Sequence, residues 1–262
     1  METLKVGAAF PDPPFNGMPG NAGLDIDLMT EIGKALGAIV EFVAYEGTDF
    51  NGIFDDLNSG AYDCVAAGTT VTPDREKKAS FAPPYLISGQ SLAVDTTRLP
   101  NVISIDDLVG LTIGVQQGNT SQPIADRLVA GGKASCVRVY DYGSIRTALT
   151  DLTTGACDAF MKLAPVLIEL IKPIAGVEIV SGGSPSRTSP SPYRSPTRDY
   201  SVTLQPLRKP WSSTECCKTY EANGWGIRTS IRAWPRIDQP ARGEYQTTRL
   251  AVEHQGKRGR DK

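Results

Sequence analysis

The chain has 262 residues, 27 Lys+Arg against 29 Asp+Glu, 40% hydrophobic residues and a single histidine. That length holds one large or two medium domains with a real core, and the near-neutral charge gives no overall bias toward nucleic acid. No apolar run approaches the ~18 residues of a membrane span, the first residues lack the basic-then-apolar pattern of a signal peptide, and five cysteines without CxxC spacing support neither a disulfide framework nor a zinc site.

In chain order, residues 4–10 predict a short apolar strand that ends in a turn-rich stretch. Leu24, Leu28, Ile32, Ala35 and Leu36 recur at helical spacing, with Gly37 placed to stop the helix. A strand is expected over 39–45, a helix over 50–60 and a strand over 62–68 leading into the loop TTVTPDRE, then a strand over 91–95. A second round follows: strand 111–116, helix 121–131, strand 135–140, helix 144–155, strand 157–161, helix 164–172 and strand 176–180. Strands alternating with helices predict an α/β architecture of mostly parallel pairs, and two rounds separated near 85–110 predict two lobes.

The character changes after residue 183. Residues 1–183 hold 12 Lys+Arg and 22 Asp+Glu, whereas residues 184–262 hold 15 and 7 and carry Trp211, Trp225, Trp234 and His254. The first part therefore has no histidine, which removes Ser-His-Asp and Cys-His catalysis and imidazole metal sites from it. No catalytic residue, metal or cofactor is expected.

The run GLDIDLMTEIGKAL (Gly23–Leu36) resembles the signature of family 3 bacterial solute-binding proteins, the amino-acid-type receptors of ABC importers. Three further segments agree in order and spacing. PPF (13–15) is similar to the family's aromatic ligand-stacking segment. YDCVAAGTTVTPDREKKASFAPPY (62–85) is similar to its carboxylate loop and the strand that crosses to the second lobe. GVQQGNTS (114–121) and GACDAFM (155–161) are similar to second-lobe segments that close on the ligand. The resemblance implies a two-lobed type II periplasmic-binding fold with lobes at 1–88 and 89–183 and hinge crossings near 85–90 and 181–186. It also implies a periplasmic or cell-surface location, a monomer, and an ABC permease and a carboxylate or amino-acid solute as partners, with no nucleic acid.

The residues carry this chemistry on their own terms. Gly68, Thr69, Thr70 and Arg75 place backbone N–H groups, hydroxyls and a planar guanidinium in one loop, a set suited to a carboxylate. Alternatively Arg75 is a surface arginine in an ordinary turn. Phe15 and Phe50 are core aromatics or, by resemblance, an apolar sandwich for the ligand. Gly118, Asn119 and Thr120 lie just before a helix, where free N–H groups receive anions, or they form a simple cap. Asp25 and Asp27, two apart at a helix start, predict dipole stabilisation on a solvated surface rather than a catalytic pair.

One position departs from the family. Where its amino-acid receptors carry the aspartate that takes the α-ammonium group, the spacing from Asp158 and Pro165 puts Leu163, with Lys162 of the wrong sign beside it. Either the ligand lacks an α-amino group, or another acid such as Asp12, Asp49 or Asp141 supplies the counter-charge.

From about Gly182–Ser184 the chain becomes Ser/Pro/Arg-rich and follows neither helical nor strand period. Reading its codons one base upstream turns residues 184–197 into a polar-then-apolar strand and 214–231 into a helix ending in Lys-Trp, as the resemblance requires. The expectation is a frameshift that leaves the tail disordered and deprives the first lobe of its last strand and helix; the other reading is a native low-complexity tail. A different function class also stands: a cyclohexadienyl-dehydratase-like enzyme on the same fold, with Glu46, Asp49, Asp141 or Lys162 as its acid or base, or else an inactive fragment.

Overall fold

The structure is a computed structural model that describes residues 2–180 and four short strand segments at 198–200, 203–204, 220–221 and 228–229. Its first sheet is built on β1 (Thr3–Ala8), whose chain leaves through a long loop into α1 (Leu24–Leu36) and returns as β2 (Ile39–Ala44), parallel to β1. Helix α2 (Gly52–Ser59) then leads to β3 (Cys64–Val65), parallel to β1 on its other side, followed by the single turn α3 (Pro73–Glu76) and by β4 (Ser80–Phe81). Helices cover both faces. Leu4, Val6, Met29 and Cys64 pack under α1, and Ile53, Phe54, Leu57 and Val65 pack under α2.

The chain crosses through β5 (Leu86–Ser88) to β6 (Gln90–Asp95), which opens a second sheet. This sheet adds β7 (Thr112–Gln116), α4 (Gln122–Ala130), β8 (Cys136–Tyr140), α5 (Ile145–Thr154), β9 (Ala159–Leu163), α6 (Ala164–Ile171) and β10 (Val177–Val180), in the order β10-β6-β9-β7-β8. Successive residues of β9 face opposite layers, as strand geometry requires. Ala159 and Met161 join Val94, Ile113 and Leu128, while Phe160 joins Ala148, Leu152 and Leu167.

The expected parallel pairing holds for β1 with β2 and β3, and for β7 with β8 and β9. It fails for β6, which runs antiparallel to β9 and β10. The reason is connectivity: β6 is fed by the crossing from the first sheet and not by a helix of its own layer. Two other differences have local causes. The expected strand at 157–161 begins two residues later, because Asp158 turns its carboxylate back onto the Thr112 N–H, and it runs on through Lys162 and Leu163, paired with Ser91 and Gln90. The expected strand at 62–68 is reduced to Cys64–Val65.

Residues 198–200 form β11 (Arg198–Tyr200), antiparallel to β5. Residues 203–204 form β12 (Thr203–Leu204), antiparallel to both β3 and β4 and lying between them. At these positions the first sheet carries a strand from beyond residue 183. The slot between β3 and β4 offers main-chain N–H and C=O groups, which any extended backbone can satisfy. Residues 184–197 of the upstream-frame reading, the hinge at 181–186 and the rest of the tail lie outside the described residues, except that within 214–231 the positions 220–221 and 228–229 pair as antiparallel strands.

Phe160 is fully buried between β7, α5 and α6. Phe160→Ala is expected to lower stability by about 3–5 kcal/mol in denaturant unfolding, with the loss confined to the second lobe in hydrogen exchange.

Candidate functional site

The site begins with the loop that follows β3. The Thr72 hydroxyl accepts the Arg75 N–H at 3.3 Å and Pro73 occupies the first turn, so the one-turn helix turns Arg75 inward. Arg75 is 5% exposed, not a surface arginine. Its Nε donates to Asn51 Oδ1 at 3.1 Å, Nη1 to the Thr70 carbonyl at 3.0 Å, and Nη2 to the Gly118 carbonyl of the second lobe at 3.0 Å. The guanidinium lies 4.8 Å over the Phe50 ring and 5.6 Å over Phe54, which is cation–π geometry.

Phe15 is fully buried beneath this loop. Two glycines make room for it. A Cβ on Gly23 (φ +154°) would meet the Phe15 carbonyl oxygen at 2.2 Å, and one on Gly68 (φ +53°) would meet its ring at 2.8 Å. Gly68 donates its N–H to Asp25 Oδ2 at 2.7 Å, and Tyr85 donates its hydroxyl to Asp25 Oδ1 at 2.5 Å. Asp25 is thus fully buried behind the loop, which corrects the expectation of a solvated carboxylate; Asp27 is exposed as expected. Burial, opposed by the bonds from Tyr85 and Gly68, raises the Asp25 carboxyl from 3.8 to about 6.

The second lobe meets the first along the segment after β7. Phe50 donates its N–H to the Gln117 carbonyl at 3.1 Å, and Gln90 Nε2 donates to the Thr120 hydroxyl at 3.0 Å. The N–H groups of Gly118 and Asn119 were expected to be free for an anion, but they donate to Gln122 Oε1 and the Gln116 carbonyl. Deeper in, Lys162 Nζ pairs with Asp12 Oδ1 at 2.9 Å and donates to Gln116 Oε1 at 2.6 Å. The Tyr142 hydroxyl donates to Asp12 Oδ2, and the Tyr142 ring packs on Phe50 with centroids 5.3 Å apart. Burial, reinforced by Asp12, holds the Tyr142 phenol well above its usual range.

One cleft between the lobes, with about 360 Å³ of empty space including its mouth, is lined by most of the expected residues. Phe15, Phe50, Gly68, Thr70 and Arg75 come from the first lobe, and Asn119, Thr120 and Leu163 from the second. Thr69 and Gly118 stand just outside: Thr69 is buried with its hydroxyl unpartnered among the described residues, and Gly118 contributes its carbonyl to Arg75. Sequence reasoning missed Gln90, Ala67 and Val166, which also line the cleft. Pairing of Gln90 with Leu163 across β6 and β9 is a tertiary signal with no local motif. Of the acids considered as counter-charges, Asp12 lines the cleft, Asp141 is exposed, and Asp49 accepts the Asn51 N–H at 2.8 Å. Among the described residues no group of three or more His, Cys, Asp and Glu is arranged for a metal ion, and no helix is long and apolar enough to cross a membrane.

Two α/β lobes that meet over a cleft with a buried arginine define a type II periplasmic-binding fold. The chain belongs to the bacterial extracellular solute-binding proteins, family 3, whose model matches residues 4–164. It is 29% identical to the ABC transporter arginine-binding protein 1 of Escherichia coli, over 65% of this chain and 67% of that one. It is 30% identical to the L-cystine-binding protein TcyJ of the same organism, over 71% and 68%. The chain spans about two thirds of the length of these relatives, and 63% of PatH of Vibrio harveyi. Among solved structures, an ancestral arginine-binding protein bound to arginine aligns with a TM-score of 0.65 and 32% identity, over 79% of this chain and 86% of that one. An ancestral amino acid-binding protein described as a precursor of cyclohexadienyl dehydratase aligns with a TM-score of 0.62 and 28% identity, over 78% and 81%.

The buried Asp25 has a stability consequence. A carboxyl held above its unfolded value stabilises the fold below the unfolded pKa, and that contribution is lost as pH rises through the folded value of about 6. Asp25→Asn is expected to remove this dependence. The stability difference between wild type and variant should change by about 2–3 kcal/mol between pH 4 and pH 7, at ~1.4 kcal/mol per pKa unit, measured by urea unfolding at each pH.

Proposed function

We propose that the chain is the substrate-binding protein of an ABC importer and captures a small carboxylate-bearing solute in the inter-lobe cleft. The observation that carries this reading is Arg75. A buried guanidinium on the first lobe, stacked on Phe50, reaches the Gly118 carbonyl of the second, so a carboxylate held beside it would draw the lobes together. Family membership and the names of the relatives support it. The binding set is Phe15, Phe50, Gly68, Thr69, Thr70, Arg75, Gly118, Asn119, Thr120 and Leu163, with Asp12, Gln90 and Lys162 added by their place in the cleft. Closure turns on the crossing near residues 85–90, between lobes at 1–88 and 89–183. The protein acts as a monomer at the cell surface or in the periplasm and delivers its solute to the permease subunits.

An enzyme of dehydratase type is disfavoured by the placement of its candidate groups. Glu46 and Asp141 are exposed, Asp49 is held by the Asn51 N–H, and Lys162 is engaged by Asp12 and Gln116. The relatives are binding proteins.

Calorimetric titration of the full chain with a panel of carboxylates tests the proposal. Arg75→Ala is expected to weaken carboxylate binding at least ~100-fold, since charge-assisted hydrogen bonds contribute about 1.5–3 kcal/mol each. Arg75→Lys keeps the charge but loses the fork, and it is expected to recover only part of that loss. Undiminished binding by either variant overturns the assignment of Arg75.

A further inference from the structure

We infer that the cleft selects 2-hydroxy monocarboxylates over the amino acids of the same side chain. The inference rests on the receptor reading above and concerns the group beside the carboxylate. An α-ammonium carried into a buried cleft needs an anionic partner. Among the described residues Asp12 is the one acid lining this cleft, and its charge is already met by Lys162. Oδ1 pairs with Lys162 Nζ at 2.9 Å and Oδ2 accepts the Tyr142 hydroxyl. The Asp12 and Lys162 side chains are 9% and 3% exposed, so the pair is held out of water. Asp25, behind Gly68, is fully buried, does not line the cleft and accepts from the Gly68 N–H and the Tyr85 hydroxyl. An incoming ammonium would therefore lie near Arg75 and Lys162 with no counter-charge, or would have to displace Lys162.

A hydroxyl meets a different environment. Gln90 donates its Nε2 to Thr120, which leaves its Oε1 buried and without a hydrogen-bond partner among the described residues. That oxygen is a neutral acceptor on a residue that lines the cleft, beside Leu163 in the β6–β9 ladder. Neutral acceptor and apolar neighbour suit an O–H donor, which brings no charge to be neutralised and fills an otherwise unmet hydrogen bond. The site also discriminates by what it lacks: a group built to receive a hydroxyl leaves an ammonium uncompensated.

The test is calorimetric titration of the full chain with matched pairs: L-lactate and L-alanine, L-2-hydroxyisovalerate and L-valine, and L-2-hydroxyisocaproate and L-leucine. At least one hydroxy acid is expected to bind at least about tenfold more tightly than its amino partner. Gln90→Glu, which places a carboxylate at the same wall, is expected to reverse that preference. Gln90→Leu is expected to weaken the hydroxy acid about tenfold while leaving the melting temperature near that of the wild type. Equal or tighter binding of the amino acids by the wild type overturns the inference and leaves the receptor reading standing. Binding by neither class, together with none across the wider carboxylate panel, overturns the receptor reading and this inference with it.

Discussion

A guanidinium cannot be buried cheaply. Arg75 is almost entirely removed from water, so its donors must meet acceptors placed in advance, and the site is organised around that requirement. Asn51 at the start of α2, the Thr70 carbonyl of its own loop and the Gly118 carbonyl of the opposite lobe supply three of them, and the Phe50 and Phe54 rings cover its faces. Each partner comes from a different segment. The charge therefore fixes the loop after β3 against α2 and sets where the second lobe comes to rest.

Around this centre the two lobes share more than shape. Tyr142 belongs to the second lobe by sequence yet packs in the same apolar cluster as Tyr45, Phe50 and Phe54 of the first. Its backbone N–H donates to the Thr48 carbonyl at 2.6 Å and its hydroxyl reaches Asp12. The Asp12–Lys162 pair also joins the lobes, and Gln116 connects it to Tyr142. A polar network that spans an interface and satisfies its own members fixes one relative orientation of the two bodies.

Much of this was legible in the sequence where the information was local. The helix signature at Gly23–Leu36, the turn chemistry of Thr72 and Pro73 and the position of Arg75 all follow from residues within a few places of one another. Asp25 was misread because its partners are not local: Gly68 and Tyr85 lie 43 and 60 residues away, so a first-turn acid looked like a dipole contact on the surface. Gln90 carried no motif, and its role comes from pairing with Leu163 across two strands. The antiparallel course of β6 depends on which lobe feeds the strand, and no window of sequence records that. The strand at 203–204 was missed for the opposite reason. Its place is specified by backbone groups on β3 and β4, so side-chain periodicity in the incoming segment had nothing to report.

Phe15 and its two glycines form a unit that joins the loop after β1 to the loop after β3. The ring occupies volume that a methyl group at position 68 would claim, and the Phe15 main-chain carbonyl occupies what one at position 23 would, while Gly23 starts α1 and Gly68 opens the loop that carries Arg75. The aromatic ring thus works as a spacer that sets the distance between helix and loop. A side chain of another size at position 15 would change what position 68 can hold, whereas position 23 is closed by the main chain of residue 15 whatever side chain that residue carries.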